Sequence, residues 1–147
     1  MSAAPGVDGA GFDASAFVDA FRDGTLAEFH HADHIRMAWL YVRECGLEEA
    51  IARFSRDLRH FAAAKGAPGL YHATITWAYL ALIAERDAQA PGAAWDTFAQ
   101  ANPDLFAWKP SVLDTYYSEA RLWSDEARAR FVMPDIPIAD LRLKIAD

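Results

Sequence analysis

The sequence predicts an all-α, single-domain helical bundle of about five main helices, followed by short C-terminal helical pieces and an extended tail. Three observations carry this reading. Apolar residues recur at intervals of three and four along most of the chain, and strand-type alternation is essentially absent. Glycine and proline stand at the ends of the periodic runs, where they stop helices. A length of 147 residues, 53% hydrophobic and 13% aromatic, is enough to fill one core of ordinary domain size.

Residues 1–11 are small and read as a flexible arm, leaving 12–147 as the domain. The first helix is predicted over Asp13 to Asp23, with Asp13 as its N-cap, Phe17, Ala20 and Phe21 on one face, and Gly24 as its stop. The second runs from about Ala32 to Cys45, ends at Gly46, and buries Ile35, Ala38, Trp39 and Val42. The third carries Leu47, Ala50, Ile51, Phe54, Leu58 and Phe61 and closes at Lys65-Gly66. Its Glu48 and Glu49 suit a helix N-terminus. Arg53, Arg56, Asp57 and Arg59 lie mostly off its apolar stripe, and His60 falls on the charged side.

A fourth helix, about Tyr71 to Gln89, is apolar on most sides and so belongs at the centre of the bundle. Pro91-Gly92 ends it. A shorter helix over Ala93 to Ala101 carries Trp95 and Phe98 and stops at Asn102-Pro103. Beyond it, Pro110 suits the first turn of a helix through about Tyr117, and Ser124-Asp125-Glu126 can cap another through Phe131. Met133 to Asp147, interrupted by Pro134 and Pro137, reads as the tail.

Composition removes several function classes. A net charge of −7 without a stripe of Lys and Arg argues against a nucleic-acid partner. No apolar run reaches the ~20 residues of a membrane span, so no membrane partner is expected. The first residues lack the basic and apolar regions of a signal peptide. The lone Cys45 makes neither an internal disulfide nor a thiolate zinc site, and it sits at a helix C-terminus where a thiolate is disfavoured. The expected compartment is therefore a reducing cytoplasm. A small-molecule ligand is the expected partner, and a homo-oligomer stays open.

The polar chemistry gathers in Phe29-His30-His31-Ala32-Asp33-His34-Ile35-Arg36, which holds three of the five histidines. His31 and His34 are three residues apart and His30 and His34 four apart, so either pair can share one helix face, with His31 and His34 bordering the apolar stripe. His72 opens the fourth helix in the same way. Short connections make consecutive helices antiparallel. The second and fourth helices then start at the same end, and His31, His34 and His72 are predicted to converge there. Asn102, Lys109, Asp114, Tyr116 and Tyr117 follow the fifth helix back toward this end. Asp114 is the best candidate carboxylate, in a stretch that otherwise looks made for burial.

Two functional readings follow, beside a third in which the histidines are structural and the protein is an interaction module. In the first, the three imidazoles of His31, His34 and His72, or two of them with Asp33 or Asp114, hold a divalent transition metal with an open position for water or substrate. Asp33 or Asp114 is needed nearby to offset the two helix N-termini. The catalytic candidates are His34, His72, Asp114 and Tyr117. In the second there is no metal: neutral histidines act as acid-base or hydrogen-bonding groups for a small anionic ligand. Arg36, Trp39, Trp108 and Lys109 are the candidate ligand-binding residues. Trp39 and Trp77 are also explained by packing, whereas Trp108 and Trp123 lie in the irregular C-terminal part and suit a pocket wall. Glu85, Asp87 and Glu126 read as surface. No dinucleotide fingerprint, P-loop, H-E-x-x-H or G-x-S-x-G string is present.

The strings from Phe29 to Trp39 (with the pattern H-x-D-H-x-R-x-A-W), Gly69 to Thr74 and Trp108 to Asp114 resemble those of a group of small, uncharacterised bacterial all-helical proteins. That resemblance spans most of the chain after Phe29 and implies no activity. In concept the histidine set is also similar to the DinB-type bundles. That likeness implies one divalent metal held by three histidines.

Overall fold

The computed structural model describes residues 7–8 and 11–137. The remainder of the predicted arm and the last ten residues of the predicted tail lie outside the described residues. The architecture is all-α. A two-residue antiparallel ladder, β1 (Val7–Asp8) against β2 (Phe12–Asp13), precedes the first helix.

Helix α1 (Ala14–Asp23) starts where Asp13 Oδ1 accepts from the Ala16 N–H at 3.1 Å, and it ends on Gly24 at φ 75°. The next element, α2 (His31–Ala64), is a helical hairpin whose two arms meet at Gly46, at φ 79° and ψ 168°. Phe29 shows that the arms fold back: its ring lies 3.9 Å from His34 and 5.1 Å from Phe61. On a straight helix those two partners would be about 40 Å apart. Tyr41 on the first arm also donates to Asp57 Oδ2 on the second at 2.6 Å. Asp57, predicted off the apolar stripe, is buried because this phenol and Arg22 claim its carboxylate. Phe21 of α1 fills the space over the hairpin, fully buried among Phe29, Tyr41, Phe54 and Phe61.

The backbone at Gly46 occupies a region that in practice only glycine enters. A Cβ built there meets nothing within 4 Å. Gly46→Ala is therefore expected to cost about 2 kcal/mol through torsion alone. Chemical denaturation checks this, and a loss below about 0.5 kcal/mol would show that the hairpin does not need the glycine.

Helix α3 (Ala73–Gln89) lies along the first arm of α2 and parallel to it. The His31 ring packs 5.4 Å from Tyr79, while Trp39 Nε1 and Arg43 Nε both donate to Asp87 Oδ1, at 3.2 and 2.8 Å. Asp87, read from sequence as surface, is thus an anchor between the two helices. The pairing is staggered. His72, seven residues before Tyr79, stands about 10 Å along the axis from the level of His31.

Helix α4 (Trp95–Ala101) packs Trp95 and Phe98 on Trp39 at 5.2 and 5.9 Å. The helix predicted from Pro110 to Tyr117 is instead a 3₁₀ turn over Val112–Thr115, preceded by another over Pro103–Phe106. Two short helices follow, α5 (Glu119–Leu122) and α6 (Asp125–Ala129), the second capped by Ser124 Oγ accepting from the Ala127 N–H at 3.1 Å. This irregular stretch folds back over the start of α3 through backbone groups. Thr74 Oγ1 donates to the Arg130 carbonyl and accepts from the Val132 N–H, both at 3.0 Å. Sequence periodicity cannot register such contacts, because they use carbonyls that every residue carries.

Candidate functional site

The staggered start of α3 leaves room that the hairpin alone does not fill. Two neighbouring cavities result, of about 580 and 520 Å³. The larger takes Phe29, His31, His34, Ile35 and Ala38 from the start of α2, Phe54 and Leu58 from its second arm, and His72, Ile75, Thr76 and Tyr79 from α3. Gly69, Leu70, Trp108, Trp123 and Arg128 complete its wall. The three imidazoles predicted to converge therefore share one cavity.

Each imidazole is held differently. His31 Nε2 donates to the Leu105 carbonyl at 2.9 Å, so its Nε2 carries the proton and Nδ1 is left as an acceptor. His34 lies under the Phe29 ring, and its pKa is pushed down to about 4, chiefly by burial and then by the neighbouring His31, against the opposing pull of Asp33. His72 is buried and uses both nitrogens. Nδ1 accepts from the Ile75 N–H at 3.1 Å, which caps α3, and Nε2 donates to the Leu122 carbonyl at 2.7 Å. Burial pulls the His72 pKa down, the Leu122 carbonyl opposes this, and nearby Arg128 adds to the lowering.

These bonds bear on whether the residues present fit a metal. His72 has no lone pair to give a metal without uncapping α3, and it stands two helical turns from the level of His31. Asp33 accepts from the His30 N–H at 2.9 Å, and Asp114 accepts from the Ser111 N–H at 3.0 Å, so both proposed carboxylates serve as caps. Among the described residues no group of three His, Cys, Asp or Glu side chains is placed to hold an ion. The triad of His31, His34 and His72 does not fit a divalent metal.

The other candidates divide between the two cavities and the core. Arg36 and Trp39 do not line the larger cavity. At about 100° per residue Arg36 lies roughly 140° around the helix from His31, and its guanidinium sits over the Phe12 and Trp95 rings at 3.4 and 5.2 Å. Trp39 belongs to the core beside Trp95. Lys109, Asp114 and Tyr117 line the smaller cavity and not the one with the imidazoles. Asp114 is exposed, contrary to the burial expected from its neighbours. Tyr117 is buried, but its hydroxyl is committed to the Val132 carbonyl at 2.7 Å.

Trp108 and Trp123 line both cavities and stand between the two sets of residues. Together with two imidazoles they form a chain of rings. His31 lies 4.9 Å from Trp108, Trp108 lies 6.5 Å from Trp123, and Trp123 lies 5.5 Å from His72.

Sequence reasoning missed Tyr79 and Arg128 as wall residues. Tyr79 sits at helical spacing from His72, which is a usable signal. Burial pushes its pKa up to about 12, and its hydroxyl has no partner in hydrogen-bond geometry, with the Ser111 hydroxyl nearby. Arg128 had no such signal: it reaches the cavity because α6 folds back and its guanidinium donates to the Gly69 carbonyl at 2.7 Å. No helix among the described residues is long and apolar enough to cross a membrane. Searches against family models, curated proteins and solved structures find no match for this chain.

Proposed function

We propose that the protein binds a small, mainly apolar molecule bearing one anionic group, without a metal, in the cavity that holds His31, His34 and His72. One observation supports this above the others. Among the residues lining this wall, Arg128 alone carries a formal charge at neutral pH, while His34 and His72 are held neutral. A cavity of about 580 Å³ falls within the usual range for small-molecule sites, about 300–1,000 Å³. An apolar chamber with a single guanidinium favours a ligand whose body is aromatic or aliphatic and whose one charge is negative. His31 offers the ligand an acceptor through its Nδ1, while His72, with both nitrogens used by the backbone, contributes only its ring to the wall.

The test is thermal unfolding with aryl carboxylates, such as phenylacetate and naphthoate, against the matching alcohols. Carboxylates are expected to raise the Tm in a saturable way, and the alcohols to do so at least tenfold less potently, given roughly 1.5–3 kcal/mol for a hydrogen bond to a charged group. Arg128→Gln is expected to erase the preference, and Arg128→Lys to retain part of it. Equal response to acid and alcohol in the unmodified protein, or an undiminished preference in Arg128→Gln, would overturn the proposal.

A further inference from the structure

The smaller cavity has a different chemistry. Trp108 and Trp123 meet at its wall with ring planes at 89° and centroids 6.5 Å apart. They are 41% and 47% exposed, far more than the core aromatics. Tyr117, buried with its hydroxyl already used by the Val132 carbonyl, backs this wall. The charged groups here are Asp114, Glu119 and Lys109, so two carboxylates stand against one ammonium. Asp114 spends one oxygen on the Ser111 N–H and keeps the other. Among the described residues Lys109 forms an ion pair with neither carboxylate.

Perpendicular indole rings attract a cation through the negative faces of their π-systems, and nearby carboxylates add to that field. A primary ammonium is strongly hydrated and resists leaving water. A methylated ammonium keeps its charge, is weakly hydrated, and presents methyl groups that suit indole walls. We propose that this cavity is a binding subsite for a quaternary or multiply methylated ammonium group. It is distinct from the imidazole cavity and stands whether or not an anion binds there. The net charge of −7 on the chain further favours the approach of a cation.

Such a group arrives either on a free small molecule or on a choline lipid headgroup. The experiment titrates the full chain with choline, with neohexyl alcohol (its uncharged carbon isostere) and with phosphatidylcholine vesicles, and follows tryptophan fluorescence. Choline is expected to saturate the signal and to bind about tenfold more tightly than the alcohol. Glu119→Gln, at an exposed position, should weaken choline about threefold, and Lys109→Gln should tighten it by a similar factor. Saturation by free choline identifies a soluble ligand, and a response confined to vesicles identifies the headgroup. The proposal is overturned if the alcohol matches choline, if Lys109→Gln weakens choline, or if neither choline nor vesicles produce saturation.

Discussion

His72→Ala is expected to destabilise the protein by about 4 kcal/mol, because one imidazole closes two backbone accounts and fills buried space. Losing the N-cap of α3 costs about 1 kcal/mol. The Leu122 carbonyl then loses its donor in a buried setting, at roughly 1–3 kcal/mol, and the missing ring leaves a cavity. His72→Asn should recover about 1 kcal/mol, since asparagine caps well but is too short to reach Leu122. Urea unfolding of the three proteins separates these contributions. A His72→Ala variant within 1 kcal/mol of the parent would mean that neither bond matters to the fold.

Stability is also expected to fall by about 3 kcal/mol as pH drops from 6.5 to 4, and His34 is the main cause. Its folded-state pKa of about 4 lies below the unfolded value of 6.5. The folded protein therefore binds fewer protons than the unfolded chain between those values, and lowering pH favours unfolding there. Above 6.5 both states are neutral and the contribution is fully present. Below 4 both are protonated and no more is lost. His72 is shifted in the same direction and adds to the slope. Asp104, held below the usual carboxylate range by Arg86, acts mainly at lower pH. His34→Gln should flatten most of the decline in this window when unfolding is measured at several pH values. An unchanged slope would place the titrating group elsewhere.

These two histidines show how far the sequence carries and where it stops. Their positions at helix starts are legible from spacing, and short connections put both starts at one end of the bundle. The stagger of about 10 Å between His31 and His72 is not legible, because axial register follows from which side chains meet, such as His31 on Tyr79 and Trp39 on Asp87. That stagger, with the two backbone bonds of His72, turns an expected metal triad into the wall of a chamber. Arg36 and Arg128 illustrate the same limit. Proximity in sequence suggested Arg36, whose guanidinium is occupied over Phe12 and Trp95, whereas the cation at the chamber comes from the refolded C-terminal stretch.

From its sequence alone this protein is an all-α chain with helices bounded by Asp13, Gly24, Gly46 and His72, since caps, glycine torsions and three-to-four spacing are local properties. The antiparallel folding of the arms at Gly46 also follows from the short connection. Tertiary structure alone decides that Trp108 and Trp123 divide the polar end into two cavities, with imidazoles and Arg128 on one side and Lys109, Asp114 and Glu119 on the other. The reason is physical. The 3₁₀ turns and short helices after Ala101 are placed by hydrogen bonds to backbone carbonyls and by ring contacts between distant residues, and neither leaves a periodic trace in the chain.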